Sequence, residues 1–294
     1  MTGQPRLGIG VVGGGRVGTV LANALRALGH AVVGVTAVSE APRERAELLL
    51  PGVDVLTPHE VIRRAEVVLV TVPDDAIAEV VAGAATLGLW QVGQIVVHTS
   101  GVHGLEVLEP ARAAGALPLA IHPAMTFTGT SIDLSRLSGC PFAVTAPAAL
   151  LPIAQALVVE MGGEPFVVAP ADRAAYHAAL THGANHLVTL VAQAERILAA
   201  TGIEEPGRLL GPLLGAALEG VLADGELHLT GPVVRGDVGT VRSHLGALAE
   251  IGEEDVERGY RALCALTAER AAANGRISAA TAREITDLTE GRRR

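Results

Sequence analysis

Leu7-Gly8-Ile9-Gly10-Val11-Val12-Gly13-Gly14-Gly15-Arg16-Val17-Gly18 is the stretch that decides the fold. Its first half is an apolar run of strand length, and its second half is a GxGxxG turn that opens a helical segment, Val17–Leu28. Each glycine has its own physical task. Gly13 permits a tight turn, Gly15 lets backbone approach a pyrophosphate, Gly18 allows close helix–strand packing, and the helix N-terminus offers N–H donors. A lone GxGxxG says little in a Gly-rich chain. Here the strand before it, the helix after it and the next strand are all in place, so Gly13, Gly14, Gly15, Arg16, Val17 and Gly18 are expected to bind a dinucleotide.

Outward from that turn, short apolar runs recur between helical patterns: Ala31–Thr36, Val67–Val72, Ile95–Thr99, Pro118–Ile121, Phe142–Thr145 and Phe166–Ala169. Alternation of strands and helices predicts an α/β domain with a doubly wound parallel sheet. The intervening segments Asp75–Leu87, Leu105–Ala114 and Leu150–Met161 are each followed by glycine, the usual helix stop. After Pro170 the strand signal ends. Ala/Leu-rich segments of helical length follow at Arg173–Thr201, Gly207–Ala223, Val238–Glu250, Glu254–Asn274 and Ala279–Thr289. The pattern predicts a Rossmann domain over 1–170 and an all-α domain over 171–294 that completes the substrate site and dimerises.

Composition narrows the function classes. The 294-residue chain is 49% hydrophobic but only 2% aromatic, which suits a sheet core of Val, Ile, Leu and Ala. A net charge of −9, with Arg292-Arg293-Arg294 as the one clear basic run, disfavours nucleic acid. Cys140 and Cys264 lie far apart with no CxxC spacing, which predicts free thiols rather than a disulfide framework or zinc ribbon. The segment from Met1 to Arg6 has no signal layout, and no apolar stretch reaches membrane length, so a cytoplasmic protein is expected. All 22 basic residues are Arg, and the absence of Lys excludes lysine acid–base chemistry.

The second strand would end in Asp or Glu if it read the ribose 2′-hydroxyl of NAD. It runs instead into Thr36-Ala37-Val38-Ser39, with Arg43 and Arg45 just beyond. Thr36, Ala37, Ser39 and Arg43 are therefore expected at the 2′-phosphate of NADP(H). The alternative is that the arginines only solvate a helix while Glu40 blunts their field. Val72, Pro73 and Asp74 should flank the same cofactor at the carboxyl end of their strand, unless Asp74 or Asp75 is a helix N-cap.

Together with Val12–Gly18 and Val72–Asp75, several further stretches carry a family resemblance: His98-Thr99-Ser100-Gly101, His122-Pro123-Ala124-Met125-Thr126-Phe127, Tyr176-His177, Asn185, Leu229-Thr230-Gly231-Pro232 and Arg235-Gly236-Asp237. The chain resembles Rossmann-like reductases of the 6-phosphogluconate and beta-hydroxyacid dehydrogenase superfamily that carry a helical domain of unassigned function. Their relatives include ketopantoate reductase, pyrroline-5-carboxylate reductase and prephenate dehydrogenase. The resemblance implies NADPH-dependent reduction of a small 2-oxo acid, with ketopantoate first, and a homodimer formed through the helical domain. Imine reduction, prephenate-like oxidation and a non-catalytic NADP(H)-binding redox sensor stand as alternatives. Ketopantoate and hydroxyacid enzymes of this superfamily place a catalytic Lys on the first long helix of the second domain, and this sequence has none.

Without Lys, the oxygen that gains charge on hydride transfer needs another donor. His122, at a strand end, is the first choice, and its resemblance to the His-Pro segment of prephenate dehydrogenases favours catalysis over merely fixing a loop. Ser100 binds substrate or ribose, or else caps a turn, whereas His98 reads as a core histidine. His177, Thr181 and Asn185 stand at i, i+4 and i+8, a polar stripe suited to a cleft wall. By resemblance Asn185 holds substrate in the catalytic centre, with His177 and Thr181 beside it. Arg235 suits a substrate carboxylate, unless it pairs with Asp237. His182 and His186 have helical metal-ligand spacing but no evident third ligand, so no metal is expected.

Overall fold

Strands and helices alternate through the first half of the chain, and the strands assemble into one seven-stranded sheet. In this computed structural model, which describes residues 6–291, the strands are β1 (Gly8–Val12), β2 (Ala31–Val35), β3 (Val67–Val70), β4 (Ile95–His98), β5 (Leu117–Pro123), β6 (Pro141–Thr145) and β7 (Glu164–Val167). Their order is β2-β1-β3-β4-β5-β6-β7. The Arg292–Arg294 run and residues 1–5 lie outside the described residues.

Every neighbouring pair is parallel except one: β6 runs antiparallel to β5, with His122 opposite Ala143. The expected doubly wound parallel sheet is present, with this one antiparallel pair within it. Between β5 and β6 the chain forms only a five-residue helix, Ile132–Arg136, about 7.5 Å long. β6 starts at the edge of the sheet where β5 ends, and Leu151–Glu160 then connects β6 to β7, which lies parallel to it.

The helices of this part are α1 (Arg16–Ala27), α2 (Glu40–Leu49), α3 (Pro58–Arg64), α4 (Asp74–Thr86), α5 (Glu109–Ala113), α6 (Ile132–Arg136), α7 (Leu151–Glu160) and α8 (Arg173–Leu180). Alternate strand residues feed two cores. Ile9, Val11, Leu69, Val97, Leu119 and Phe142 pack beneath α1 and α7, and Val12, Val68, Val70 and Val96 pack beneath α3, α4 and α5. Burial on both faces explains why these strands read as continuous apolar runs. α2, α3 and α6 are absent from the sequence-based expectation. The first two are short and polar, and α3 is set by a Thr57–Glu60 capping box with Pro58 at its start.

The chain divides into two compact units, 1–181 and 182–294. The second contains α9 (His186–Ala200), α10 (Pro206–Asp224), α11 (Val238–Ile251), α12 (Glu254–Ala273) and α13 (Ala279–Thr289). Val233, Val241, Leu245, Cys264, Ala268, Ala282 and Ile285 form its core. One helix was expected over Arg173–Thr201. The structure instead has α8, a π-helical turn at Thr181–Asn185, and α9. A π turn adds a residue to the repeat, so the i, i+4, i+8 stripe of His177, Thr181 and Asn185 loses its common phase. Gly183 in mid-turn weakens the α alternative. Among the described residues no helix is long and apolar enough to cross a membrane.

Candidate functional site

The glycine turn is shaped by two threonines. Gly13 has φ +112°, a conformation L side chains rarely adopt. Its N–H donates to Thr36 Oγ1 at 2.8 Å, and its carbonyl accepts from Thr71 Oγ1 at 2.6 Å. A Cβ on Gly13 would lie 2.6 Å from the Thr71 carbonyl carbon, and one on Gly18 would lie 2.2 Å from Thr71 Oγ1 and 2.5 Å from the Gly13 oxygen. Gly15 differs: a Cβ there meets only the Thr71 oxygen, at 4.0 Å. The turn is thus closed against protein at Gly13 and Gly18 and open at Gly15. α1 begins at Arg16 without a side-chain cap, so its first N–H groups remain free for an anion. This geometry fits a dinucleotide pyrophosphate.

At the end of β2, Thr36 is buried and its hydroxyl holds Gly13, which makes it a scaffold for the turn. Ala37 accepts from Arg43 Nε at 3.3 Å, and Ser39 precedes α2 without a side-chain capping bond. Across the turn, Val72 follows β3, and the N-cap position of α4 is Pro73 rather than either aspartate. Asp74 and Asp75 occupy the first turn of α4, where carboxylates suit the helix dipole.

The second feature lies at the carboxyl ends of β4 and β5. His122 Nδ1 is 2.9 Å from the Tyr176 hydroxyl, and its ring stands edge-on to both Tyr176 and His177. Gly101 makes room for them, since a Cβ there would lie 2.6 Å from His177 Cδ2 and 3.0 Å from His122 Nε2. Behind the rings lies Arg173, the first residue of α8, fully buried. It donates to Thr145 Oγ1 (2.9 Å) and to the carbonyls of Ser100 (2.7 Å), Ala120 (3.0 Å) and Ala143 (3.2 Å). No carboxylate pairs with it among the described residues.

This buried cation shapes the local titration. Burial pulls His122 down to about 4, and the positive charge of Arg173 adds to the effect. Burial likewise lowers His98 to about 4, against its hydrogen bond to the Gly104 carbonyl. Burial raises the Tyr176 phenol, with Arg173 opposing. At neutral pH, therefore, His122 is a neutral imidazole sharing one proton with Tyr176. His98 accepts from Ser100 N at 3.2 Å and is a satisfied core histidine. The Ser100 hydroxyl accepts from Val102 N and His103 N, which is the turn-capping alternative.

Thr181 opens the π turn and Asn185 closes it, exposed, in the second unit. His182 and His186 hydrogen-bond to each other through their Nδ1 atoms at 3.0 Å. Arg235 is exposed with no ion pair among the described residues, while Asp237 caps α11 by accepting from Thr240 N at 2.9 Å. Sequence reasoning gave Tyr176, Arg173, Thr71 and Gly101 no role. Tyr176 adjoins His177 in the motif, which was the available signal. Full burial of an arginine leaves no trace in composition or spacing.

Residues 2–123 match the Rossmann-like domain family, and residues 140–267 match the family described as Domain of unknown function (DUF2520). The two matched segments lie one after the other along the chain. No curated protein matches it. A Bacteroides fragilis crystal structure, provisionally described as an NADP oxidoreductase, is 23% identical, with 90% of this chain and 99% of that chain covered and a TM-score of 0.77. Protein TM1727 of Thermotoga maritima is 25% identical over 92% of this chain and 100% of its own, with a TM-score of 0.66. An imine reductase from Myxococcus stipitatus, solved with NADP+, is 19% identical over 91% and 94%, also at 0.66. These likenesses establish the fold, one that NADP oxidoreductases and imine reductases share.

Proposed function

We propose that this protein is an NADPH-dependent reductase that delivers hydride to a carbon–nitrogen or carbon–oxygen double bond in a small substrate. One observation carries this: a glycine turn shaped for a dinucleotide and a Tyr176–His122 donor pair occupy the same carboxyl edge of the sheet, where such folds bind ligands. Gly13–Gly18 would hold the pyrophosphate, the end of β2 the adenosine ribose, and Val72–Asp74 the opposite flank. When bound, the cofactor supplies hydride. Tyr176, held by neutral His122, offers a donor to the substrate nitrogen or oxygen as it gains electron density.

Imine reduction comes first, because the Myxococcus imine reductase shares this fold over nine-tenths of the chain. Reduction of a 2-oxo acid such as ketopantoate is the second choice, favoured by one feature: the Arg173 charge behind the pair suits a developing alkoxide better than a cationic iminium. Asn185 and Arg235 are proposed to hold substrate, with Arg235 free to take a carboxylate. Two free, buried thiols agree with a reducing, cytoplasmic location.

The test follows loss of NADPH absorbance at about 340 nm with cyclic imines and with ketopantoate. Gly15→Val serves as control, expected to fold normally because its side chain enters open space, yet to bind no NADPH. NADPH binding without turnover of either substrate class would favour the redox-sensor alternative, and unchanged binding by folded Gly15→Val would refute the cofactor site.

We also propose a homodimer formed through the helical unit. α9 has no buried residue, and Leu187, Val188, Leu213, Leu218 and Leu222 on α9 and α10 are exposed. Between these helices runs a groove of about 590 Å³ lined mostly by aliphatic side chains. So much apolar surface on one small unit calls for a cover. Sedimentation at micromolar concentration should give twice the monomer mass, and a monomer would refute it.

A further inference from the structure

We propose that the loop after β5, through Gly129, sets nucleotide preference by gathering Arg16 and Arg45 into one site for a phosphate monoester, the 2′-phosphate of NADPH. This rests on the cofactor reading above and brings Gly129, far from β2 in sequence, against Arg16 of the glycine turn and Arg45 of α2.

Asp133, in α6, is fully buried and anchors the loop. Its carboxylate accepts from Thr128 N (2.8 Å), Gly129 N (2.7 Å) and Thr128 Oγ1 (3.0 Å), with Arg136 at 3.6 Å. These bonds fix Gly129 at φ +78° and bury it. Two arginine stems then close over it. A Cβ on Gly129 would lie 2.6 Å from Arg45 Nε, 3.1 Å from Arg45 Cδ and 2.8 Å from Arg16 Cγ. Arg16 comes from the glycine turn and Arg45 from α2, so only a residue without a side chain lets the two converge.

The guanidinium groups lack partners. Among the described residues neither Arg16 nor Arg45 makes a hydrogen bond or ion pair, although Arg45 is half-buried and Glu40, Glu44 and Glu47 share its helix. Of the two arginines that the sequence offers beyond β2, Arg43 has its Nε turned back on the Ala37 carbonyl. Two unpaired guanidiniums, one partly withdrawn from water, beside the end of a strand that carries no ribose-reading carboxylate, match a dianionic monoester better than a 2′-hydroxyl.

Nucleotide titrations followed by fluorescence or calorimetry test this without any substrate. Wild type should bind NADPH at least tenfold more tightly than NADH, and 2′,5′-ADP more tightly than 5′-ADP. Arg45→Ala should weaken NADPH by roughly tenfold to a hundredfold, the range for a lost charge-assisted hydrogen bond, and so collapse the NADPH:NADH ratio. Gly129→Ala should lower the same ratio severalfold, and its effect should vanish in an Arg45→Ala background, which a merely structural lesion would not do. Should Gly129→Ala fail to fold, Arg45→Ala decides alone. Equal weakening of NADPH and NADH would place Arg45 at the pyrophosphate and overturn the proposal, as would an unchanged ratio. Failure of wild type to bind either nucleotide would overturn the cofactor reading itself, and this inference with it.

Discussion

Tyr176→Phe and His122→Ala are each expected to lower kcat by roughly a hundredfold to ten-thousandfold, the usual contribution of a positioned proton donor. NADPH affinity should hardly change, because both side chains lie at the end of β5 and on α8, away from the glycine turn. The pH profile distinguishes this pair from an ordinary histidine acid. His122 lies near 4 and the Tyr176 phenol is raised above its usual value near 10. Neither group changes charge across the neutral range, so kcat in wild type should show no limb near 6.5 from His122. His177→Ala should mainly raise KM. Near-normal kcat in both Tyr176→Phe and His122→Ala, with turnover abolished by Asn185→Ala, would move the donor to the helical unit and refute the assignment.

Arg173→Leu is expected to cost on the order of 3–5 kcal/mol of stability. The substitution removes a buried charge and takes a hydrogen-bond donor from three carbonyls, those of Ser100 just beyond β4, Ala120 within β5 and Ala143 within β6. At about 2–4 °C per kcal/mol for a domain of this size, Tm should fall by roughly 6–20 °C. Arg173→Lys should recover little, because an ammonium lacks the fork that reaches four acceptors spread over β5, β6 and the segment after β4. Burial, with the guanidinium charge adding to it, links stability to pH at two nearby histidines. His98 and His122 have folded values near 4 against about 6.5 unfolded. Below 6.5 the unfolded chain therefore binds more protons. Stability from these two histidines is complete above about pH 6.5 and is lost as pH falls toward 4. Removing the neighbouring positive charge should raise both histidines and narrow that window. Denaturant curves at pH 7.5 and pH 5 measure both effects, and an unchanged midpoint in Arg173→Leu would overturn the structural role.

What was legible in the sequence was whatever depends on local chain geometry. Gly13, Gly15 and Gly18 each sit in the environment their spacing implied, closed against Thr71 or open to solvent. The strand runs fall within a few residues of the observed ones, because burial on both faces demands uninterrupted Val, Ile and Leu. What escaped depends on contacts between distant segments. β6 reads like its parallel neighbours, and nothing local in its sequence marks its antiparallel pairing with β5. Arg173 at a helix start looks solvated in sequence but is buried against β5, β6 and the segment after β4. The Thr181–Asn185 π turn shifts a stripe that assumed an unbroken α repeat. Gly129 and Arg45 are separated by three strands in sequence, and the Asp133 anchor of the Gly129 loop follows no short motif.

The two threonines flanking Gly13 have a consequence for how fast, rather than how tightly, a nucleotide binds. Thr36, just after β2, and Thr71, just after β3, hold the N–H and the carbonyl of one residue, Gly13, so the turn acquires its shape when the sheet folds, before any ligand arrives. Little conformational entropy then remains to be lost on binding at the pyrophosphate. Association there should behave as docking onto a rigid surface, with one kinetic phase whose observed rate rises linearly with nucleotide concentration. Thr36→Val and Thr71→Val each release one side of the clamp. The loosened turn would have to be ordered by the ligand itself, and the extra cost would appear as a slower on-rate and a more unfavourable binding entropy.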